Sequence, residues 1–370
     1  MKTRKKRQRL SRKVREEKRD RLSELPDCVL IHMMEFMDTK HAVQTCVLSK
    51  RWKDLWKQLT TLVFDTFFFN KVVNFRKFVS QVLSKRDGSI SLLNLKFTPR
   101  GFTQPYLLNR VMKYASCHNV QQLTIFVNLN NKPSFDFRPY IFSCDTLTFL
   151  KLSVSTQDPS MIVLPEYLYM PAIRTMQLES VTFTAYGRDY AEPFRYCPVL
   201  NTLILAGCSL HSDQNFLRIS NSNLSNLTLD GTYQEEFFQI DLCTPNLTFL
   251  KLSGHIDKPI IGSPNLSLLE ELNIESRTSY DNTELLIISW LQGIRNVKLM
   301  TVSLSALDII LQDLSKPLSA GLQPPRFHQL KSLMVKKIPY KNLSDDRLRR
   351  SLKYLLQNSP LAILDFDYDE

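Results

Sequence analysis

Six histidines, seven cysteines and nine glycines are the residues of this 370-residue chain that could supply metal, nucleophile or phosphate chemistry. Their spacing supplies none of it. His32, His41, His118, His211, His255 and His328 show no H-E-x-x-H or other metal-ligand spacing. Cys28, Cys46, Cys117, Cys144, Cys197, Cys208 and Cys243 never form a C-x-x-C pair, so neither a zinc knuckle nor a zinc-bound RING is encoded. An odd, scattered set of thiols suggests a reducing compartment. No G-x-G or P-loop is present, and no serine or cysteine elbow. The chain therefore reads as non-catalytic, without cofactor or metal, and its function has to be sought in what it can hold.

Charge points the same way. The formal net charge is +12. Residues 1–21 carry twelve Lys/Arg against three acids, so the folded body is nearly neutral. The tail KTRKKRQRLSRK fits a nuclear-localisation signal, a contact with nucleic acid or an acidic surface, or plain solvated chain. No stretch approaches the ~20 apolar residues of a membrane span.

The elements that must do the holding are announced by a repeat. The heptapeptide LTFLKLS stands at 147–153 and again at 247–253. The looser pattern apolar-x-x-apolar-x-apolar starts at Leu92, Val120, Leu147, Ile173, Leu200, Leu224, Leu247, Leu269, Ile294, Leu330 and Leu361, at steps of 22 to 36 residues. Its apolar-x-apolar ending is a short strand with one buried face, and the remaining residues return the chain to the next strand. No such unit buries its leucines alone, so the units must stack. A step in this range with L-x-x-L-x-L predicts a right-handed solenoid of about eleven leucine-rich repeats, an α/β fold with a parallel sheet and variable returns. The Asn or Cys expected three positions after the last leucine occurs only as Cys208. Pro317, Pro324, Pro325 and Gly321 predict an excursion within the longest step.

Residues alternating with the buried ones form an open face. Phe149, Lys151, Phe249, Lys251, Glu271, Asn273, Lys298 and Met300 are its candidate substrate-binding residues. Five lysines and six acids along the whole face do not make a surface that neutralises a phosphate backbone. Mixed polar and isolated apolar groups suit a protein partner better.

Residues 20–60 do not follow the repeat. Asp27 is expected to cap a helix to about Met37, Asp38-Thr39 to start a second, and Ser49 to cap a third carrying Trp52, Leu55, Trp56 and Leu59. Three short helices with this many apolar residues exceed one small core and imply a partner surface.

This segment resembles a plant-type F-box: Leu25-Pro26-Asp27, Val29-Leu30, Thr39-Lys40, Ala42-Val43, Val47-Leu48-Ser49-Lys50-Arg51-Trp52 and Leu55-Trp56, followed by LVFD at 62–65. Met33, Met34 and Met37 replace the usual Ile/Leu, and Asp38 stands where proline is common. With CPVLNTLILAGC (197–208) and FxxFVxxVLxxRD (75–87), the resemblance extends to plant F-box/leucine-rich-repeat proteins. It implies that Leu25, Pro26, Leu30, Met33, Met34, Val43, Leu48, Trp52 and Trp56 form or brace a surface for a Skp-type adaptor of a cullin–RING ubiquitin ligase. The repeats would then choose the protein to be ubiquitinated. The implied organisation is a basic tail (1–19), an F-box (20–60), a linker and capping helix (61–89) and repeats (90–370). The C-terminal segment resembles the start of an extra domain that many relatives carry. Two other readings remain: a nuclear scaffold contacting nucleic acid or acidic partners through its tail, and an F-box receptor that senses a small molecule. Localisation is expected in the nucleus, the cytoplasm or both, with the tail favouring the nucleus.

Overall fold

A computed structural model describes residues 22, 24–128, 140–155, 162–211, 215–231, 239–254, 260–261, 266–276, 287–315, 323–336 and 344–367. The basic tail and most of the excursion after Ser315 lie outside the described residues. The strands are β1 (Thr61–Asp65), β2 (Asn94–Thr98), β3 (Gln122–Asn128), β4 (Phe149–Ser155), β5 (Thr175–Glu179), β6 (Thr182–Phe183), β7 (Tyr190–Ala191), β8 (Thr202–Ala206) and β9 (Ser209–Leu210). They continue with β10 (Phe216–Ser220), β11 (Asn226–Asp230), β12 (Gln239–Cys243), β13 (Phe249–Gly254), β14 (Ile260–Ile261), β15 (Glu271–Ser276), β16 (Leu299–Ser303), β17 (Ser332–Lys336) and β18 (Ile363–Asp367).

Twelve of these form one parallel sheet in the order β1-β2-β3-β4-β5-β8-β11-β13-β15-β16-β17-β18. The period-two burial follows from the repeat: Leu95 and Phe97, Leu150 and Leu152, Leu227 and Leu229, and Leu250 and Leu252 all point inward, none more than 6% exposed. The leading residues Leu147, Ile173, Leu200, Leu224, Leu247 and Leu269 are each at 0%. Each fully buried leucine is worth roughly 1.5–3 kcal/mol, and each is covered by the rungs on either side, so the stack stabilises as a unit. The sheet begins at β1, inside the segment read as linker, because Leu62 and Phe64 alternate inward as a rung of their own.

The returns are less uniform than the strands. Helices at Val72–Lys85 and Pro105–Cys117 cover the first rungs through Phe75, Val79, Val82, Leu107, Leu108, Val111 and Met112. Short strands β7, β10, β12 and β14 make a second parallel sheet on the middle returns. There Arg218 pairs with Asp241 at 2.8 Å and lies 4.3 Å from the Tyr190 ring. Helices return at Ile287–Gln292, Leu304–Ser315 and Asp345–Leu356.

Two features hold successive turns in step. At the strand exit Cys208 donates its thiol to the Leu178 carbonyl of the preceding rung (3.6 Å), as its place in the repeat suggests. One position before Cys208 stands Gly207, matched in the next two rungs by Gly231 and Gly254: Gly254 has φ +84°, and a Cβ there would lie 1.8 Å from the Gly231 carbonyl oxygen. At the strand start an asparagine just before the rung's first apolar residue (Leu224, Leu247, Val297) donates to the preceding turn: Asn223 to Pro198 O (2.6 Å), Asn246 to Ser222 O (2.7 Å), Asn296 to Ser267 O (2.6 Å).

Asn296 exposes one error of register. The rung assigned from Ile294 starts at Val297: Lys298 N donates to Glu270 O, as Glu270 N does to Thr248 O one rung earlier. Val297, Met300 and Val302 are therefore the buried residues, and Met300, expected on the open face, is 2% exposed. Leu299 takes the open position at 48%. Apolar residues in both phases of IRNVKLMTV left the sequence ambiguous, and pairing of Lys298 with Glu270 at the turn favours the observed phase.

Candidate functional site: the helical head and the open face

The head is built from a helix at Asp27–Glu35, a second at Thr39–Gln44, and 3₁₀ turns at Thr45–Val47 and Leu55–Gln58. Asp38 caps the second helix as expected, accepting from Lys40 N and His41 N at 3.0 and 3.1 Å. Asp27 does not cap the first. Pro26 precedes it without a side-chain cap, and the Asp27 carboxylate accepts from Arg51 Nε at 2.7 Å. Arg51 also donates to the Leu25 carbonyl. These bonds draw residues 49–52 back onto the start of the first helix, so the third expected helix is replaced by turns and a 3₁₀ segment that still buries Trp52, Leu55, Trp56 and Leu59.

The nine residues implied for adaptor contact separate into two groups. Leu30 and Met34 are fully buried and Trp52 and Trp56 are 6% exposed, so they brace the head from inside. The Met34 sulfur accepts from Thr45 Oγ1 at 3.3 Å. Leu25 and Val43 are partly buried against the core. Pro26, Met33 and Leu48 face outward. They are joined by residues outside that set: Phe36 (81% exposed), Val47 (82%), Met37 and Val29. Val29, Met33 and Met37 follow one another at i, i+4 on the outer side of the chain that Leu30 and Met34 anchor inward. Of the additional ones only Val29 lies within the Asp27–Glu35 helix, where apolar residues on both sides left its side open; Phe36, Met37 and Val47 lie beyond its end.

The head is joined to the solenoid by polar bonds as well as by packing. Thr39 Oγ1 accepts from Val63 N in β1 at 2.7 Å. Arg86, 5% exposed, donates to the carbonyls of Leu59 (2.8 Å), Ile90 (3.0 Å) and Ser91 (3.1 Å) and to the Tyr114 hydroxyl (3.2 Å). One guanidinium thus ties the end of the head, the first covering helix and the first rungs together.

On the open face the twin heptapeptides are presented differently. Lys251 donates to Glu275 Oε2 at 2.8 Å, and Lys336, from two strands further on, donates to Oε1 at 3.0 Å. Ser253 and Ser303, both buried, are the register neighbours of Glu275 and Lys336. Burial alone would raise the Glu275 carboxyl, but the two lysines together outweigh it and hold it below its ordinary value. Asn273 donates to Glu271 at 3.3 Å, and Phe249 is half-buried between Asn226 and Glu271. Lys298 sits at the turn before β16, paired with Glu270. Lys151 is exposed and has no acidic partner among the described residues, and Phe149 lies between Gln122 and Thr175. Among the described residues no cluster of three or more His, Cys, Asp or Glu could hold a metal ion. No helix there is long and apolar enough to cross a membrane.

A helical head with an apolar outer surface, fixed to a parallel leucine-rich-repeat sheet, defines the class: an F-box module on a repeat solenoid. The family model for the F-box domain matches residues 22–63, and the model "FBD-associated F-box protein At5g56370, LRR repeats" matches residues 108–303. Among similar proteins of Arabidopsis thaliana, F-box/LRR-repeat protein 13 is 26% identical over 308 residues, covering 79% of this chain and 66% of the relative. F-box/LRR-repeat protein At3g58980 is 29% identical over 273 residues (71% and 44%), and F-box/FBD/LRR-repeat protein At1g78750 is 25% identical over 347 (87% and 72%). The chain thus spans about two thirds of the first of these relatives and less than half of the second. The protein belongs to the plant F-box/leucine-rich-repeat family.

Proposed function

We propose that this chain is the substrate-recognition subunit of a Skp–cullin–F-box ubiquitin ligase and performs no chemistry itself. The head docks on a Skp-type adaptor, and the repeats hold the protein to be ubiquitinated. Holding both on one chain raises the local concentration of acceptor lysines at the ligase. The observation that supports docking is the outward apolar set Val29, Met33, Phe36, Met37, Val47 and Leu48, concentrated on some twenty residues of a head whose inner apolar residues are already satisfied. Such a set marks a protein-interaction surface. The mixed charge of the open face favours a protein over nucleic acid as the second partner. The twelve basic residues within 1–21 fit import into the nucleus.

Co-expression of the full chain with a Skp-type adaptor tests the docking. A stoichiometric complex should co-elute on gel filtration, and the double variant Val47→Asp/Leu48→Asp should lose it while keeping its circular dichroism. Both residues are exposed, so the core is untouched. Retention of the adaptor by the double variant would refute this docking surface.

A further inference from the structure

The strands LTFLKLS at 147 and 247 are identical in sequence, and the structure makes only one of them available. Lys251 is engaged by Glu275, whereas Lys151 is exposed without an acidic partner among the described residues. Beside the free copy lies an open cavity of about 530 Å³, lined by Arg174, Thr175, Val199, Asn201 and Asn223. These residues come from the starts of three successive rungs, those of β5, β8 and β11. Thr175 is the register partner of Phe149, one strand away at about 4.8 Å, and Lys151 follows Phe149 on the same face about 7 Å further along.

The lining is rich in donors and contains no acid. Arg174 is exposed and has no acidic partner among the described residues, so its planar fork of five N–H donors is unused by any carboxylate. The amide nitrogen of Asn201 donates to Ser225 Oγ (2.8 Å) and that of Asn223 to Pro198 O (2.6 Å), which orients each amide and leaves each a second N–H. Val199 adds an apolar wall. An unpaired guanidinium, spare amide donors and a neighbouring lysine favour an anion, and the adjoining aromatic favours an apolar group beside it.

We propose that this cavity is the anchor point for the protein substrate: Arg174 takes a carboxylate or phosphate carried on a substrate side chain, while Phe149 and Lys151 hold the residues next to it. The proposal rests on the substrate-binding reading of the repeats and assigns it a position and a chemistry. It makes Phe149/Lys151 the functional twin and Phe249/Lys251 a structural one.

Three degenerate peptide pools with a central glutamate, phosphoserine or glutamine test it, applied to the full chain alone and to its complex with the adaptor. Charge-assisted hydrogen bonds predict about tenfold preferential retention of the glutamate or the phosphoserine pool over the glutamine pool. The better of the two identifies the source of the anion. Arg174→Gln should abolish the preference, Lys151→Gln should reduce it, and Lys251→Gln should leave it unchanged. Equal retention of the three pools, or a preference that survives Arg174→Gln, would overturn the proposal. Adaptor co-elution, scored in the same samples, separates failure of this site from failure of the ligase reading.

Discussion

Glu275→Gln removes one charge from the open face and nothing from the core. In the folded protein both carboxylate oxygens are occupied, by Lys251 at 2.8 Å and Lys336 at 3.0 Å, with the three side chains 22–34% exposed. Exposed pairs contribute about 0.2–1 kcal/mol each and this network is partly buried, so loss of both pairs should cost about 1–2 kcal/mol. At about 2.1 cal/mol/K of unfolding entropy per residue, a 370-residue chain melting as one unit would lose roughly 1–3 °C from its midpoint. The pH dependence carries the sign. The folded carboxyl lies below its ordinary value of 4.5, so its stabilisation is complete above that value and fades as pH falls through the folded value. Denaturant melts of wild type and variant should therefore differ most near pH 7 and converge towards pH 3. At 1 M salt, where the screening length is about 3 Å, the difference should shrink. An equal deficit at pH 3 and pH 7, or one indifferent to salt, would refute the electrostatic account of this network.

Three further outcomes follow from the packing. Gly254→Ala meets both a positive φ and a carbonyl oxygen at 1.8 Å, so it should destabilise the middle rungs by more than about 2 kcal/mol in urea melts, whereas an alanine at the open position Gly101 should cost less. Arg86→Met removes the donor to the Leu59, Asp87, Ile90 and Ser91 carbonyls at the junction of head and solenoid; it should cost about 3 kcal/mol or more, and hydrogen exchange should report loosening at both the head and β2. Thiol labelling of the native chain at pH 8 should modify Cys28 and Cys117 first and Cys243 more slowly, its thiol being raised by burial and by Asp241. Cys197, pushed up to about 12 by burial, should label only on unfolding.

Much of this fold was legible because period-two burial is written directly into leucines: Leu150, Leu152, Leu250 and Leu252 could be assigned inward from spacing alone. Legibility failed where two phases were apolar, as in IRNVKLMTV, and the choice between Leu299 and Met300 was decided by the turn before the strand. The head was legible as a module and less so in detail. Trp52, Leu55, Trp56 and Leu59 keep helical spacing, but the Arg51–Asp27 bond folds the preceding segment into turns, a long-range contact that no local pattern encodes. Outward apolar residues such as Phe36 and Val47 were hidden for another reason: hydrophobic residues beyond the end of a short helix show nothing about side until their neighbours are placed. Arg174, Asn201 and Asn223 come from different repeats, and only stacking brings them to one cavity. The difference between the twin heptapeptides lies likewise outside them, in Glu275.

Hydrogen exchange of the full chain, with and without a saturating Skp-type adaptor, tests the central division of labour most directly. The account predicts added protection at residues 27–37 and 45–48 and unchanged exchange along the open-face strands from β4 to β17. Protection centred on those strands, or no change in the head, would contradict it.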